Sequence, residues 1–304
     1  MEKRALITGI NGFVGPYLKN ELEQNGYAVF GLGTKPHKEQ ANYYVADITD
    51  RDRVREVVEK IQPVYIFHLA GISSPVVAEQ KPELTYRTSV EGTRNLLDAA
   101  TALPSAPRVL IVSSAHVYGD PKYLPIDEKH PLRGHGVYVD SRLKQEELVR
   151  QYEKSLPFVI TRSFNHTGPR QSDTFVVPKI VKQGIEVQKG LRRELEMGNV
   201  DIKRDITDVR DVVHAYRLLL EQPQTGVVTN VCRGESIALK NIIEYVRVLT
   251  HCKEMPIRVN PAFVRALDAP DIYGSTTMLH SLIDWEPLFD YQKTVTDIYN
   301  FLNQ

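Results

Sequence analysis

The sequence predicts an α/β fold, a doubly wound parallel sheet carrying a smaller α/β lobe. Three observations predict it. Short runs rich in Val, Ile, Leu and Tyr alternate with helix-periodic segments through the first two thirds of the chain. Those runs are nearly continuous in apolar residues, as strands covered on both faces must be. A glycine-rich turn follows the first of them directly.

Taken in order, strands are expected over residues 5–8, 28–32, 44–46, 65–69 and 109–113, each bounded by Gly, Asp or Ser. Helices are expected between and after them, over 17–24, 51–61, 88–102 and 138–154. Beyond about residue 168 the pattern loosens. Helices at 177–184, 211–221 and 239–250 are joined by longer loops, with a strand at 227–231. No repeat, low-complexity tract or Ser/Gly-rich linker separates the two parts. The expected division is residues 1–167 with about 205–232 as the sheet domain, and 168–204 with 233–304 as the lobe packed on it.

A chain of 304 residues, 42% hydrophobic, can bury a sizeable core. Lys plus Arg and Asp plus Glu each total 38, so no excess positive charge is there to drive nucleic-acid binding. No apolar run approaches the length of a membrane span. Neither nucleic acid nor membrane is an expected partner. Cys232 and Cys252 make no CxxC pair, and the first strand begins almost at once, leaving no room for a signal peptide. A cytoplasmic location is expected. His130 and His135 fit no helical metal pair, and no metal is expected.

The sharpest local signal is Thr8-Gly9-Ile10-Asn11-Gly12-Phe13-Val14-Gly15, placed between a strand and a helix. Gly9 permits the tight turn, Gly12 lets backbone approach a pyrophosphate, and Gly15 allows close helix–strand packing. The helix start then offers free N–H groups to the anion. This is the Rossmann arrangement for a dinucleotide. An acidic residue closing the second strand would hold the ribose 2′-hydroxyl of NAD(H). The segment instead reads Phe30-Gly31-Leu32-Gly33-Thr34-Lys35, and Thr34 and Lys35 suit a 2′-phosphate. NADP(H) is favoured over NAD(H). Asp47 and Ile48, after the third strand, are candidates for the adenine edge.

Residues 113–119 close the fifth strand, where open parallel sheets place their active sites. Tyr138 and Arg142, four residues apart, share one face of the helix that follows. A cation beside a phenol stabilises phenolate and draws the tyrosine toward working pH. Tyr138 could then trade a proton with a substrate oxygen that Ser114 also binds. Tyr118 and Tyr123 are candidates for the pocket wall, with core packing the equal alternative.

At this point the sequence resembles the extended short-chain dehydrogenases/reductases, the NAD-dependent epimerase/dehydratase family. The glycine turn, His68-Leu69-Ala70-Gly71, the Ser114 strand end and the Tyr138 helix fall in that family's order. The resemblance makes Leu69, Ala70 and Gly71 cofactor neighbours. It also implies a lysine where Arg142 stands; arginine keeps the charge with a bulkier, planar head. The second half is most similar to the GDP-mannose 4,6-dehydratases and GDP-4-keto-6-deoxy-mannose reductases. Residues 162–169, 197–205 and 207–212 carry this, with Asp284-Trp285-Glu286-Pro287 at the end. The resemblance implies Asn165, Arg204 and Arg265 on a sugar-nucleotide diphosphate, with Lys179 a further candidate. It implies Asn199 near the base and Asp268 on a ribose hydroxyl. It further implies a homodimer built from the helices at 88–102 and 138–154.

The dehydratases of that family need a carboxylate beside the catalytic Ser/Thr. Here those positions are Ala115 and His116. Reduction needs only the tyrosine proton, the serine and a hydride donor. The expected function is thus NADPH-dependent reduction of a GDP-linked 4-keto-6-deoxy hexose. Two alternatives stay open. His116 could move ring protons and make the protein an epimerase or epimerase-reductase. Arg142 in the lysine place could mark a binding protein without turnover.

Overall fold

Seven parallel strands form the central sheet: β1 (Lys3–Thr8), β2 (Tyr27–Gly33), β3 (Tyr43–Val45), β4 (Tyr65–His68), β5 (Arg108–Ser114), β6 (Phe158–Ser163) and β7 (Val227–Val231). Their order across the sheet is β7-β6-β5-β4-β1-β2-β3. The computed structural model describes residues 2–36, 42–263 and 269–304. Strand order reverses at β1, which lies between β2 and β4. Chain leaving β1 and β4 therefore departs to opposite faces, and a crevice opens at their carboxyl ends.

Period-two alternation sends neighbouring side chains of one strand to opposite layers. Ala5 and Ile7 of β1 join a core with Leu18 and Leu22 of α1 (Gly15–Gln24) and Val212 and Tyr216, while Leu6 joins the opposite one. That second layer is closed by α2 (Arg51–Ile61) and α3 (Gly92–Thr101), through Val54, Val58, Leu96 and Leu97. Asp50 starts α2 by accepting the Arg53 N–H at 3.1 Å. The helix expected from residue 88 is helical from Pro82, and a π-helical turn over Arg87–Glu91 leads into α3. Proline suits a first helical turn, where its missing N–H costs nothing.

After β5 comes α4 (Val137–Arg150), then β6. A separate apolar cluster lies beyond, where α5 (Val176–Gln188), α7 (Leu239–Thr250) and α8 (Tyr291–Leu302) pack through Ile180, Ile243 and Ile298. Between α5 and α7 runs α6 (Val209–Glu221), which covers the sheet; β7 then returns to the sheet edge beside β6. Trp285, near the end of the chain, joins the core under α1 and α6, and its indole N–H donates to the Asp211 carbonyl at 3.0 Å. No helix among the described residues is long and apolar enough to cross a membrane.

Candidate active site

The glycine turn sits at the strand-order reversal. Gly9 has φ +70°, and a Cβ there would lie 2.8 Å from the Ala70 backbone nitrogen. A Cβ on Gly15 would lie 2.0 Å from the Ile10 carbonyl oxygen, so only glycine admits this approach of helix to turn. The Gly12 N–H closes the turn on the Gly9 carbonyl at 2.9 Å. Val14 precedes α1 without a side-chain cap, and the first turn of α1 carries no acidic residue. Its free N–H groups and positive dipole end thus meet no competing carboxylate. These residues fit the pyrophosphate of a dinucleotide. Asn11 donates to the Tyr43 hydroxyl at 2.9 Å, which in turn donates to the Lys35 carbonyl at 2.5 Å. Thr34 and Lys35 are exposed at the end of β2.

From this turn the candidates form a continuous series. Leu69 and Ala70 abut Gly9, and a Cβ on Gly71 would lie 2.9 Å from an Arg142 guanidinium nitrogen. The Arg142 guanidinium carbon lies 5.3 Å from the centre of the Tyr138 ring. His116 meets that ring edge-on, with centroids 5.8 Å apart. Ser114 Oγ is 3.1 Å from His116 Nδ1 and accepts the His116 backbone N–H at 3.2 Å. Glu79 accepts the Val137 N–H at 2.8 Å and so seats the first turn of α4, on which Tyr138 is carried. Ser114, His116, Tyr138 and Arg142 are brought together at the carboxyl end of β5.

Arg142 is buried. Its Nη1 donates to the Val112 carbonyl at 3.2 Å and to Gln145 Oε1 at 2.9 Å, and Nη2 donates to the Ile72 carbonyl at 3.2 Å. Nε is buried with no hydrogen-bond partner among the described residues. A buried donor of this kind carries a desolvation cost until a ligand oxygen reaches it. Together with the glycine turn, this unpartnered donor makes the crevice a fit for a dinucleotide.

Other candidates lie further out. Asn165 is exposed on a short strand, Asn165–Thr167, paired in parallel with Ile206–Asp208. Phe13 of the glycine turn stacks on His166 with centroids 6.2 Å apart, and the Tyr17 hydroxyl donates to the Pro169 carbonyl at 2.6 Å. The turn and the Asn165 segment are thereby fastened together. Desolvation lowers the His166 pKa, and its Nδ1 is 3.1 Å from the Phe164 carbonyl, so that nitrogen carries the proton. Arg204 is half-buried and donates to the carbonyls of Lys203 and Ala269. The Lys179 ammonium lies 3.6 Å from the centre of the Phe263 ring. The Asn199 side chain accepts the Asp201 N–H at 3.0 Å. Arg265 and Asp268 lie outside the described residues.

Other candidate side chains have partners outside the Ser114–Tyr138 group. Ile48 is buried against Gly92, and Asp47 accepts from Thr49 on its own loop. Tyr118 is a core residue: its hydroxyl donates to Asn230 at 2.7 Å, and burial drives its pKa up. Tyr123 is exposed and donates to Asp127. His130 is buried and accepts the Lys122 N–H at 2.9 Å. Among the described residues, no group of three His, Cys, Asp or Glu side chains is placed to hold a metal.

Sequence reasoning missed the polar residues behind the site. Gln145, Thr93, His68 and Thr8 are fully buried and joined by hydrogen bonds that begin at Arg142. Glu146, next to Gln145, pairs with Arg162 at 2.7 Å and accepts the Ser113 hydroxyl at 2.6 Å. The available signal was polar side chains on the sheet-facing side of α4.

The family model described as GDP-mannose 4,6 dehydratase matches residues 6–298. The chain is 32% identical over 292 residues to a GDP-6-deoxy-D-mannose reductase of Pseudomonas aeruginosa, covering 94% of this chain and 93% of that one. It is 25% identical over 345 residues to a GDP-mannose 4,6-dehydratase of Vibrio cholerae, covering 98% and 92%. Among solved structures it is similar to RMD from Pseudomonas aeruginosa complexed with NADPH, at 30% identity and TM-score 0.88, covering 99% and 98%. The glycine turn at the strand reversal, the Tyr138 helix beside it and these matches agree: the chain is an enzyme of the GDP-mannose 4,6-dehydratase family.

Proposed function

We propose that the protein reduces the 4-keto group of a GDP-linked 4-keto-6-deoxy hexose with NADPH, converting GDP-4-keto-6-deoxy-D-mannose to GDP-D-rhamnose or its C4 epimer. The observation that carries this is the group at the end of β5. Tyr138, Ser114 and Arg142 are assembled there, with Ala115 and His116 where a dehydratase needs its carboxylate. The reductase name of the Pseudomonas relative and the NADPH in the similar structure support the same reading.

Bound NADPH would supply hydride to C4. The residues do the rest. Backbone of Gly9 to Gly15, including Asn11, Phe13 and Val14, holds the pyrophosphate, with Thr34 and Lys35 on the 2′-phosphate. Asp47 and Ile48 flank the adenine through their backbone. Ser114 orients the C4 oxygen, and Tyr138 gives it a proton. Arg142 offsets the negative charge then left on the phenol. The lobe of residues 168–204 and 233–304 holds the nucleotide. Asn165, Arg204 and Arg265 take the diphosphate, with Lys179 beside them, while Asn199 lies near the base and Asp268 at the ribose. A homodimer through the helices around 88–102 and 138–154, in the cytoplasm, completes the proposal; the two free thiols suit that reducing compartment.

NADPH deuterated at the transferring position tests it. The expected product carries deuterium at C4. Unlabelled product, or loss of water from GDP-mannose in place of ketosugar reduction, overturns it. One contact favours a second reading. His116 Nδ1 lies 3.1 Å from Ser114 Oγ, close enough for the imidazole to serve the same substrate and epimerise ring carbons. Incubation with ketosugar in deuterated water without reductant separates the two, since epimerisation alone places solvent deuterium at C3 or C5.

A further inference from the structure

We propose that Gln145 is the positioning residue that lets an arginine work beneath Tyr138, with Thr93 and His68 fixing Gln145 in turn. This rests on the reductase reading above for its kinetic arm alone.

The donors and acceptors of the network fix one another. Thr93 Oγ donates its one proton to the Ser89 carbonyl at 2.6 Å. It must therefore accept from its other partners, which are Gln145 Nε2 at 2.8 Å and His68 Nε2 at 2.9 Å. So His68 carries its proton on Nε2. Its Nδ1, 2.7 Å from Thr8 Oγ, accepts, and Thr8 in turn accepts the Ala70 N–H at 3.2 Å. Arginine has no acceptor, so Gln145 must turn Oε1 toward Arg142 and its amide nitrogen toward Thr93. Every member then has a single orientation consistent with the rest. Desolvation first, and the Arg142 charge second, lower the His68 pKa to about 3, which keeps the ring neutral as this pattern requires.

The chain of bonds runs from the guanidinium across β4 to the backbone that abuts Gly9. Its physical purpose follows from the shape of arginine. A guanidinium is a planar fork that works in one orientation, whereas an ammonium offers rotatable donors and needs no such guide. The Val112 and Ile72 carbonyls hold two corners of the fork, and Gln145 sets its plane. The remaining Nε–H is buried and has no partner among the described residues. Gln145 is thus the counterpart of having arginine at position 142, and its importance should vanish with lysine there.

A double-mutant cycle tests this. Gln145→Leu, and Gln145→Met should the branched side chain disturb the core, are made in the wild type and in Arg142→Lys. The expected result is a fall in kcat of about tenfold or more in the wild-type background and about twofold or less in the Arg142→Lys background, with NADPH affinity changed little. An equal loss in both backgrounds, or no loss in the wild-type background, overturns the proposal. Nitrogen NMR of the protein without cofactor gives a second readout. His68 should show protonated Nε2 and bare Nδ1, and the Arg142 guanidinium protons should exchange slowly in wild type and quickly in the Gln145 variants. A His68 protonated on Nδ1, or guanidinium exchange unaffected by Gln145, also overturns it. A wild type that turns over no 4-ketosugar would remove the reductase reading and leave the spectra to decide the network.

Discussion

The Arg142 guanidinium lies 5.3 Å from the centre of the Tyr138 ring, one helical turn along the same helix. A permanent charge is thereby held next to the phenol proposed to protonate the substrate oxygen. General acid–base assistance is worth about 10²–10⁴-fold. Arg142→Met should therefore lower kcat by about 10²-fold, and Arg142→Lys, which keeps the charge, by no more than about tenfold. Steady-state kinetics with saturating NADPH checks both. Equal losses in the two variants would show that charge beneath the phenol is not what matters.

Lys35 stands exposed at the end of β2, where the proposed function puts the 2′-phosphate that NAD(H) lacks. Charge-assisted hydrogen bonds contribute about 1.5–3 kcal/mol. Lys35→Ala should raise KM for NADPH by about tenfold or more while leaving KM for NADH unchanged. Parallel changes with the two cofactors would place the 2′-phosphate elsewhere.

His68 makes stability depend on pH. Its folded pKa of about 3 lies below the ordinary 6.5, so in acid the unfolded chain binds a proton that the folded chain refuses. The sign follows: stability is intact above the unfolded value and is lost as pH falls from 6.5 toward 3. Between about pH 7 and about pH 5 the loss from this residue should be about 2 kcal/mol. Urea unfolding of wild type and His68→Gln checks it, because the variant should lose that part of the slope whatever its stability at neutral pH. An identical slope in both contradicts the assignment.

Glu146 and Arg162 are both buried and meet at 2.7 Å behind Ser113. Removing one partner leaves a buried charge uncompensated, a cost of about 3–5 kcal/mol. Glu146→Ala should show such a loss in chemical unfolding, and Glu146→Ala with Arg162→Met should recover part of it. A double variant no better than the single would mean that packing, not unpaired charge, sets the cost.

Local patterns carried far in this chain. Apolar runs and glycine placement made the parallel sheet and the turn at its reversal legible, because both depend on residues adjacent in sequence. The i,i+4 spacing alone placed Arg142 beside Tyr138. What stayed hidden depends on chain segments meeting in space. Thr93 and Gln145 are 52 positions apart, His68 and Thr8 are 60, and nothing local couples them. The π-helical turn at Arg87–Glu91 interrupts the regular period, so the helical residues before it, from Pro82, lay outside the helix expected from 88. For Tyr118 the sequence left pocket wall and core packing equal, and only the partners Asn230 and Arg162, distant in sequence, place its hydroxyl in the core.

The decisive comparison is NADPH oxidation with GDP-4-keto-6-deoxy-D-mannose by wild type and by Tyr138→Phe, with NADPH binding followed in parallel. Turnover by the wild type is expected, with a loss of about 10²-fold or more in the variant and NADPH binding retained. A wild type inactive on this substrate, or a variant that turns over at the wild-type rate, would refute the role given to Tyr138 and the reduction built on it.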